Sequence, residues 1–437
     1  MEMTLAHFMV QIGGETTVPL GPLYIAAVLD DMGCQVDFRD YQLSGYQNPL
    51  SQKSILDFLS NSEDFLCVSC LFNTLPFVLA ALKKIKDKTP EKTIILGGPG
   101  PSSVAEKLME KFSCIDVIVK GEGEATMKEL AENTPLNRIN GIVYRDNGKV
   151  VTTPKRERIN NLDCLPFPAY DIIDLSLYDH AGIITARGCP YHCSFCEVAP
   201  LWGYHTEQRS VDQVIKEIQL LQEYGIDTIH FYDDTFVINR KWVLSFCEKL
   251  QKESIDISWM CNGRINLMDE TLLSAMADAG CTAVQYGIES GSDHVLEKIE
   301  KKITVTQIKK IINSTSQYMD TISNFMWGFP FETLEDFFQT VYLMGEVATM
   351  GSLVSLFLLS PLYLSPIYKE YHTTLRFSED LMSNLLGDVF DTILPEEKQE
   401  IIALIRQNPD IFSGFYHVYT PDLEKKYQFL KKAGWID

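Results

Sequence analysis

The chain has 437 residues, 46% of them apolar, which is enough for two or three packed domains. Its 59 acidic against 38 basic side chains leave a formal net charge of −21, which argues against nucleic acid as a main partner, since phosphate binding needs a surplus of Lys and Arg. The 11 cysteines are odd in number and three fall in one short loop, so reduced cytoplasmic thiols are expected rather than a disulfide scaffold. No basic stretch leading into an apolar core opens the chain, and no run of about 18 uncharged apolar residues occurs. Neither a signal peptide nor a membrane span is therefore expected.

Strands and helices alternate over the first 150 residues. A strand is expected at 7–11, a loop from Gly13 to Pro19, and a helix from Leu20 to Met32 that stops at Gly33. Further strands follow at 35–41, 65–72, 93–96 and 116–119, with helices between them at 76–86 and 104–112 and another after Gly123. This pattern predicts an α/β fold with a doubly wound, five-stranded parallel sheet. Ligands of such sheets bind beyond the carboxyl ends of the strands. The turns Gly97-Gly98-Pro99-Gly100 and Gly121-Glu122-Gly123-Glu124 lie on that edge, where absent side chains let a ligand approach the backbone. Taken alone, the pattern also fits a receiver-like or purely structural domain. His7 is the only histidine before residue 150, and placing it at the start of the first strand turns it away from the ligand edge.

Residues 140–151 read as a hairpin around Asp146-Asn147-Gly148, and 151–180 as a linker. A second domain is expected over 181–365 and a helical, acidic region over 366–437. The second domain opens with a strand at 182–186. After it comes Arg187-Gly188-Cys189-Pro190-Tyr191-His192-Cys193-Ser194-Phe195-Cys196, a C-x3-C-x2-C loop. Three soft thiolates there suit an iron–sulfur cluster or zinc. Zinc usually takes four closed ligands, and His192 is the only local fourth candidate. A four-iron cluster on Cys189, Cys193 and Cys196 leaves one iron open.

Five more strand–helix units follow, making six with the cysteine strand: a partial (β/α)6 barrel, with chemistry expected at the carboxyl ends of the strands. Asp233 and Asp234, Arg264, Glu289 and Ser290, and Gly328 and Pro330 all fall there. A carboxylate such as Glu289 accepts hydrogen bonds from ribose hydroxyls or an ammonium, and Arg264 suits a carboxylate. Any one of them is more often a cap or an ion pair. Cys247, Cys261 and Cys281 read as small core residues.

The cysteine spacing, with an aromatic Phe195 before the last cysteine, resembles the radical S-adenosylmethionine (radical SAM) superfamily. Tyr232-Asp233-Asp234, Gly287-Ile288-Glu289-Ser290-Gly291-Ser292 and Gly328-Phe329-Pro330-Phe331-Glu332-Thr333 resemble further segments of it. The first 150 residues resemble the cobalamin-binding domain of the cobalamin-dependent branch. The matching pieces are the first loop and helix (Val18-Pro19-Leu20), Ser69-Cys70-Leu71, Gly97-Gly98-Pro99 and Lys120-Gly121-Glu122-Gly123-Glu124. The resemblance implies one 4Fe-4S cluster, SAM and cobalamin as cofactors. It places the SAM site at Phe195, Asp233, Asp234, Arg264, Glu289, Ser290, Gly328 and Pro330. It places cobalamin against Thr16, Thr17, Val18, Pro19, Leu20, Ser69, Leu71, Phe72, Asn73, Gly97, Gly98, Pro99, Gly121, Glu122 and Glu124. The D-x-H-x-x-G motif that supplies a cobalt ligand in other cobalamin proteins is missing, and Gly13-Gly14-Glu15-Thr16-Thr17 stands in its place. Base-off cobalamin without a histidine ligand is therefore implied, with a residue from Leu71 to Thr74 under the corrin.

The activity implied is methyl transfer from SAM, by way of methylcobalamin, to an unactivated sp3 carbon after a 5′-deoxyadenosyl radical removes a hydrogen. A protein or peptide residue is one expected acceptor, as in the C-methylation of a glutamine of methyl-coenzyme M reductase. A ferredoxin or flavodoxin is the expected electron donor. Radical cyclisation, ring rearrangement or epimerisation on the same architecture is the first alternative, and a cobalamin sensor with a regulatory cluster is the second.

Overall fold

The computed structural model describes residues 1–10 and 15–435. Gly13 and Gly14 of the loop that replaces the histidine motif lie outside them. The chain divides into two compact units, 1–179 with 377–416 and 180–376 with 417–437.

In the first unit, β1 (Glu2–Phe8), β2 (Gln35–Asp40), β3 (Phe65–Cys70), β4 (Thr93–Gly97) and β5 (Val117–Val119) pair in parallel in the order β2-β1-β3-β4-β5. The hairpin of β6 (Ile142–Asp146) and β7 (Lys149–Thr152) continues the sheet antiparallel to seven strands. The helices are α1 (Leu20–Asp30), α2 (Gln52–Phe58), α3 (Leu75–Lys88), α4 (Pro99–Ser103), α5 (Ala105–Lys111) and α6 (Glu124–Ala131). Met3 and Leu5 of β1 pack with Ala26, Ala27 and Leu29 of α1 and Met127 of α6. On the other face Phe8 stacks on Tyr41, with ring centroids 4.2 Å apart. The sheet is thus covered on both faces, as near-continuous apolar strands require.

Two expectations change here. The first strand spans residues 2–8 rather than 7–11: Met3, Thr4, Leu5 and Ala6 are all buried, and Glu2 to His7 pair in register with β2. His7 is therefore the next-to-last residue of β1 and lies at the carboxyl edge, not away from it. Its register partners are Asp40 and Ser69. A helix also opens at Pro99, directly after Gly98 at φ +90°, a backbone conformation glycine adopts without penalty; proline suits the first helical turn.

In the second unit β8 (Ala181–Ile183) is followed by the short β9 (Ala186–Arg187), the cysteine loop and α7 (Val198–Trp202). β10 (Glu207–Gln208) then pairs antiparallel with β9. Next come α8 (Val211–Glu223), β11 (Thr228–Phe231), α9 (Arg240–Lys252), β12 (Ser258–Gly263), α10 (Glu270–Asp278) and β13 (Cys281–Glu289). They lead to α11 (Asp293–Lys298), α12 (Val305–Thr315), β14 (Asp320–Trp327), α13 (Leu334–Thr349), β15 (Leu353–Leu358) and α14 (Pro366–Tyr371). Six of these strands form one all-parallel sheet, β8-β11-β12-β13-β14-β15. Along β13 and β14 fully buried residues alternate with half-buried ones. The buried set packs on helices: Phe231 and Trp259 cluster with Phe246 of α9. The alternate, half-buried positions form the other face, the inside of a partial barrel, as six strand–helix units predict.

The C-terminal segment is shared. Its α15 (Ser383–Leu386) and α16 (Pro395–Gln407) belong to the first unit, where α16 packs on α3. Its α17 (Leu423–Lys432) belongs to the second.

Candidate cluster, SAM and cobalamin sites

Asp233 explains why the strand before the cysteines breaks in two. Its fully buried carboxyl accepts from the amides of Thr185 at 2.6 Å and Ala186 at 3.0 Å, and from the Thr185 hydroxyl. Burial pushes this carboxyl up to about 7 against the opposing pull of those donors. Asp234 accepts from the Gly188 amide at 3.2 Å. The two aspartates among the acidic residues expected at the SAM site therefore pin the backbone that launches the cysteine loop.

Cys193 is buried, and Cys189 and Cys196 are half-buried. The Cys196 sulfur accepts from the Val198 amide, and burial pushes its thiol up to about 12. Burial raises the Cys189 thiol as well. Ionising these sulfurs calls for strong positive charge beside them, which iron supplies. Arg264 contributes part of it. Its guanidinium lies 3.7 Å from the Cys193 sulfur, covers the Tyr191 ring at 3.7 Å, and donates to the Lys301 carbonyl. Arg264 thus braces the loop. His192 is exposed and stacked on Tyr204, with centroids 4.4 Å apart. Among the described residues no three His, Cys, Asp or Glu side chains converge as ligands of one ion would. A cluster takes its thiolates one per iron, and three cysteines with no fourth protein ligand fit a four-iron cluster with an open iron.

Glu289 ends β13 at φ +70°, beside a register shift, and its carboxylate meets the Lys301 ammonium at 2.7 Å with both side chains buried. Gly287, two residues before it, leaves room for this pair: a Cβ there would lie 2.5 Å from the Glu289 carboxylate and 3.0 Å from the Lys301 ammonium, and the pair would have to shift. Ser290 is fully buried, its hydroxyl 3.0 Å from that of Thr340. Gly328, at φ +86°, donates its amide to Glu332 at 2.9 Å. Lys426 of α17 meets the same carboxylate at 2.8 Å, with both side chains fully buried. Pro330 is half-buried in this turn, and the Phe195 ring packs edge-on to Phe329 at 6.2 Å. The sequence reading missed Lys301 and Lys426, which carry no motif around them.

At the carboxyl edge of the first unit Gly21, Gly97 and Gly121 face open space, so a ligand can lie against their backbones. Ser69 pairs in register with both His7 and Gly97, forming one row at that edge. Gly98 and Gly100 are closely covered: a Cβ on Gly98 would come 2.8 Å from the Ser69 hydroxyl, and one on Gly100 2.6 Å from the Leu71 carbonyl carbon. Pro99 opens α4 directly after them. Leu71, Phe72 and Asn73 are half-buried, and the Asn73 side-chain oxygen is buried without a partner. Val18, Leu20 and Glu124 are buried. Pro19 caps α1. The Thr16 amide donates to Asp179 at 2.6 Å, and the Thr17 amide to Gln42 at 3.1 Å. Glu122 accepts from the Ile159 amide at 2.8 Å. An open glycine edge beside an unsatisfied polar oxygen fits a large polar ligand such as cobalamin.

The family model for the radical SAM superfamily matches residues 183–344, and that for the B12 binding domain matches 8–131. An uncharacterised methyltransferase of Pyrococcus horikoshii is 32% identical over 343 residues, 76% of this chain and 74% of its own. Among solved structures, the cobalamin-dependent SAM radical enzyme OxsB with aqua-cobalamin bound superposes with a TM-score of 0.74. That match has 17% identity and covers 99% of this chain and 66% of that one. The radical SAM methyltransferase TsrM of Kitasatospora setae, with cobalamin and a [4Fe-4S] cluster bound, gives a TM-score of 0.67 at 18% identity, over 85% of this chain and 75% of that one. The chain belongs to the cobalamin-dependent radical SAM methyltransferases.

Proposed function

We propose that this chain moves a methyl group from SAM, by way of base-off cobalamin, to an unactivated sp3 carbon. One observation carries the reading. The Cys189–Cys196 loop follows β8 and the short β9, and β8 belongs to the six-stranded sheet whose carboxyl end presents Glu289 and Gly328, in a chain that also holds an open B12-type edge. When bound, the cluster with SAM supplies a hydrogen-abstracting radical and cobalamin supplies the methyl group. The protein's part is positional. Asp233 and Asp234 fix the start of the cysteine loop, and Arg264 covers Cys193. Glu289, held by Lys301, offers carboxylate oxygen to the ammonium or ribose hydroxyls of SAM. The turn at Gly328 presents backbone to the adenine. The acceptor in this reading is a carbon of a protein or peptide residue such as glutamine, and a ferredoxin or flavodoxin is the reductant.

The test is a product count. Anaerobically reconstituted, reduced protein with cobalamin and SAM should form both S-adenosylhomocysteine and 5′-deoxyadenosine. The triple Cys189→Ala, Cys193→Ala, Cys196→Ala variant should lose the iron and the 5′-deoxyadenosine while still binding cobalamin. Formation of 5′-deoxyadenosine without S-adenosylhomocysteine would replace methyl transfer with cyclisation or rearrangement.

A further inference from the structure

The inner face of the second unit's sheet has a definite chemistry. Fully buried residues of β11 to β14 pack on helices, so the alternate positions face inward. They include His230, Asn262, Gln285 and Asn324, with Tyr232 just beyond β11. Asn262 and Gln285 are register partners, and Asn324 sits one inward step further toward the carboxyl end, opposite Gly287. Asn262 donates its NH2 to the Asp233 carbonyl at 3.0 Å, and its side-chain oxygen can accept. No side-chain hydrogen bond ties Gln285 or Asn324 to the described residues. The outer ring nitrogen of His230 is buried without a partner, while its other nitrogen lies 3.4 Å from His180.

Charge thins out on this face toward its carboxyl end: the exposed Asp320 shares the register row of His230, and above that row the character changes. From the Asn262–Gln285–Ile322 row upward, no inward strand position carries Asp, Lys or Arg. At the rim, Glu289 is matched by Lys301, Arg264 is engaged with Cys193 and the Lys301 carbonyl, and Asp234 holds the Gly188 amide. A charged group entering here would lose water without gaining a counter-ion, whereas a neutral donor–acceptor group finds partners for both halves.

We infer that this inner face is the acceptor-substrate site and that it selects an uncharged side-chain carboxamide over a carboxylate. The inference rests on the methyl-transfer reading and adds the chemistry of the acceptor. Burial, and secondarily His180, lowers His230 to about 4, so its ring is neutral at pH 7 and adds no charge to the site.

Two probes differing in one group test it: N-acetylglutamine methylamide and N-acetylglutamate methylamide, titrated by ligand-observed NMR against the reconstituted, SAM-loaded protein at pH 7.5. The carboxamide should bind at least about tenfold tighter, because the site's polar groups are unpaired with the wrong ligand. Asn324→Leu and Gln285→Leu, each checked for iron content and circular dichroism, should each weaken it several-fold. Asn324→Lys should shift the preference toward the carboxylate. Equal or tighter carboxylate binding to the unmodified protein, unchanged binding in both folded leucine variants, or no binding of either probe would overturn the inference. Failure of methyl transfer itself shows in the coproducts of SAM, not in these titrations.

Discussion

Glu289 combines a left-handed backbone with a buried ion pair, a conformation that costs a non-glycine residue about 1–3 kcal/mol and persists where the surroundings enforce it. Glu289→Ala should lower SAM affinity by about 1.5–3 kcal/mol, the loss of charge-assisted hydrogen bonds. Glu289→Gly should lose the same affinity yet be more stable than the alanine variant, since glycine relieves the backbone strain. Anaerobic titration and denaturant unfolding separate the two effects, and equal stabilities would remove strain from the account. Asp233 gives a pH signature. Its folded carboxyl stands at about 7, above its ordinary 3.8, so the folded state holds an extra proton between those values. That contribution is complete below about pH 4 and is lost as the pH rises through 7. The fall in stability from pH 5 to 8 should be steeper in the unmodified protein than in Asp233→Asn. The three cysteines and Glu289 were legible in the sequence because their spacing is local. That Asp233 and Arg264 brace the cysteine loop was not, since neither lies within 35 residues of Cys193 along the chain.

Among the elements, α17 has the clearest consequence. Through Lys426 it reaches Glu332 and so the Gly328 turn. Burial raises the Glu332 carboxyl, Asp336 adds to the rise, and Lys426 works against it. Lys426→Met should destabilise the protein by about 3–5 kcal/mol, the cost of leaving a buried carboxylate unpaired, and weaken SAM binding through the turn. Adding Glu332→Gln should restore most of the stability, as measured by denaturant unfolding. No recovery would mean that Lys426 acts through packing alone. The alternation of parallel strands and helices was readable from the sequence, whereas the order β2-β1-β3-β4-β5 comes from the pairing. The start of β1 was not readable, because the sequence 2–8 mixes polar and apolar residues and only pairing with both β2 and β3 fixes its ends.

For the whole molecule, the two halves identified from sequence correspond to a B12-type sheet and a six-stranded radical SAM sheet, each with its own core. The cobalt environment depends on the first. His7 lies on the same face as Met3 and Leu5, which α1 covers, although it sits at the ligand edge. Bound cob(II)alamin should therefore show no strong nitrogen splitting from an axial imidazole in electron paramagnetic resonance. A nitrogen signal that disappears in His7→Ala would contradict a cobalt without a histidine ligand. The most direct measurement of the central claim follows the methyl group itself. SAM carrying a trideuterated methyl is supplied to the reduced holoenzyme with an extract of acceptors, and the labelled product is isolated and read by mass spectrometry and carbon NMR. The account predicts an intact trideuteromethyl on a carbon that was saturated and unactivated, with S-adenosylhomocysteine and 5′-deoxyadenosine formed alongside. Label on nitrogen, oxygen or sulfur, or a product altered without any label, would contradict it.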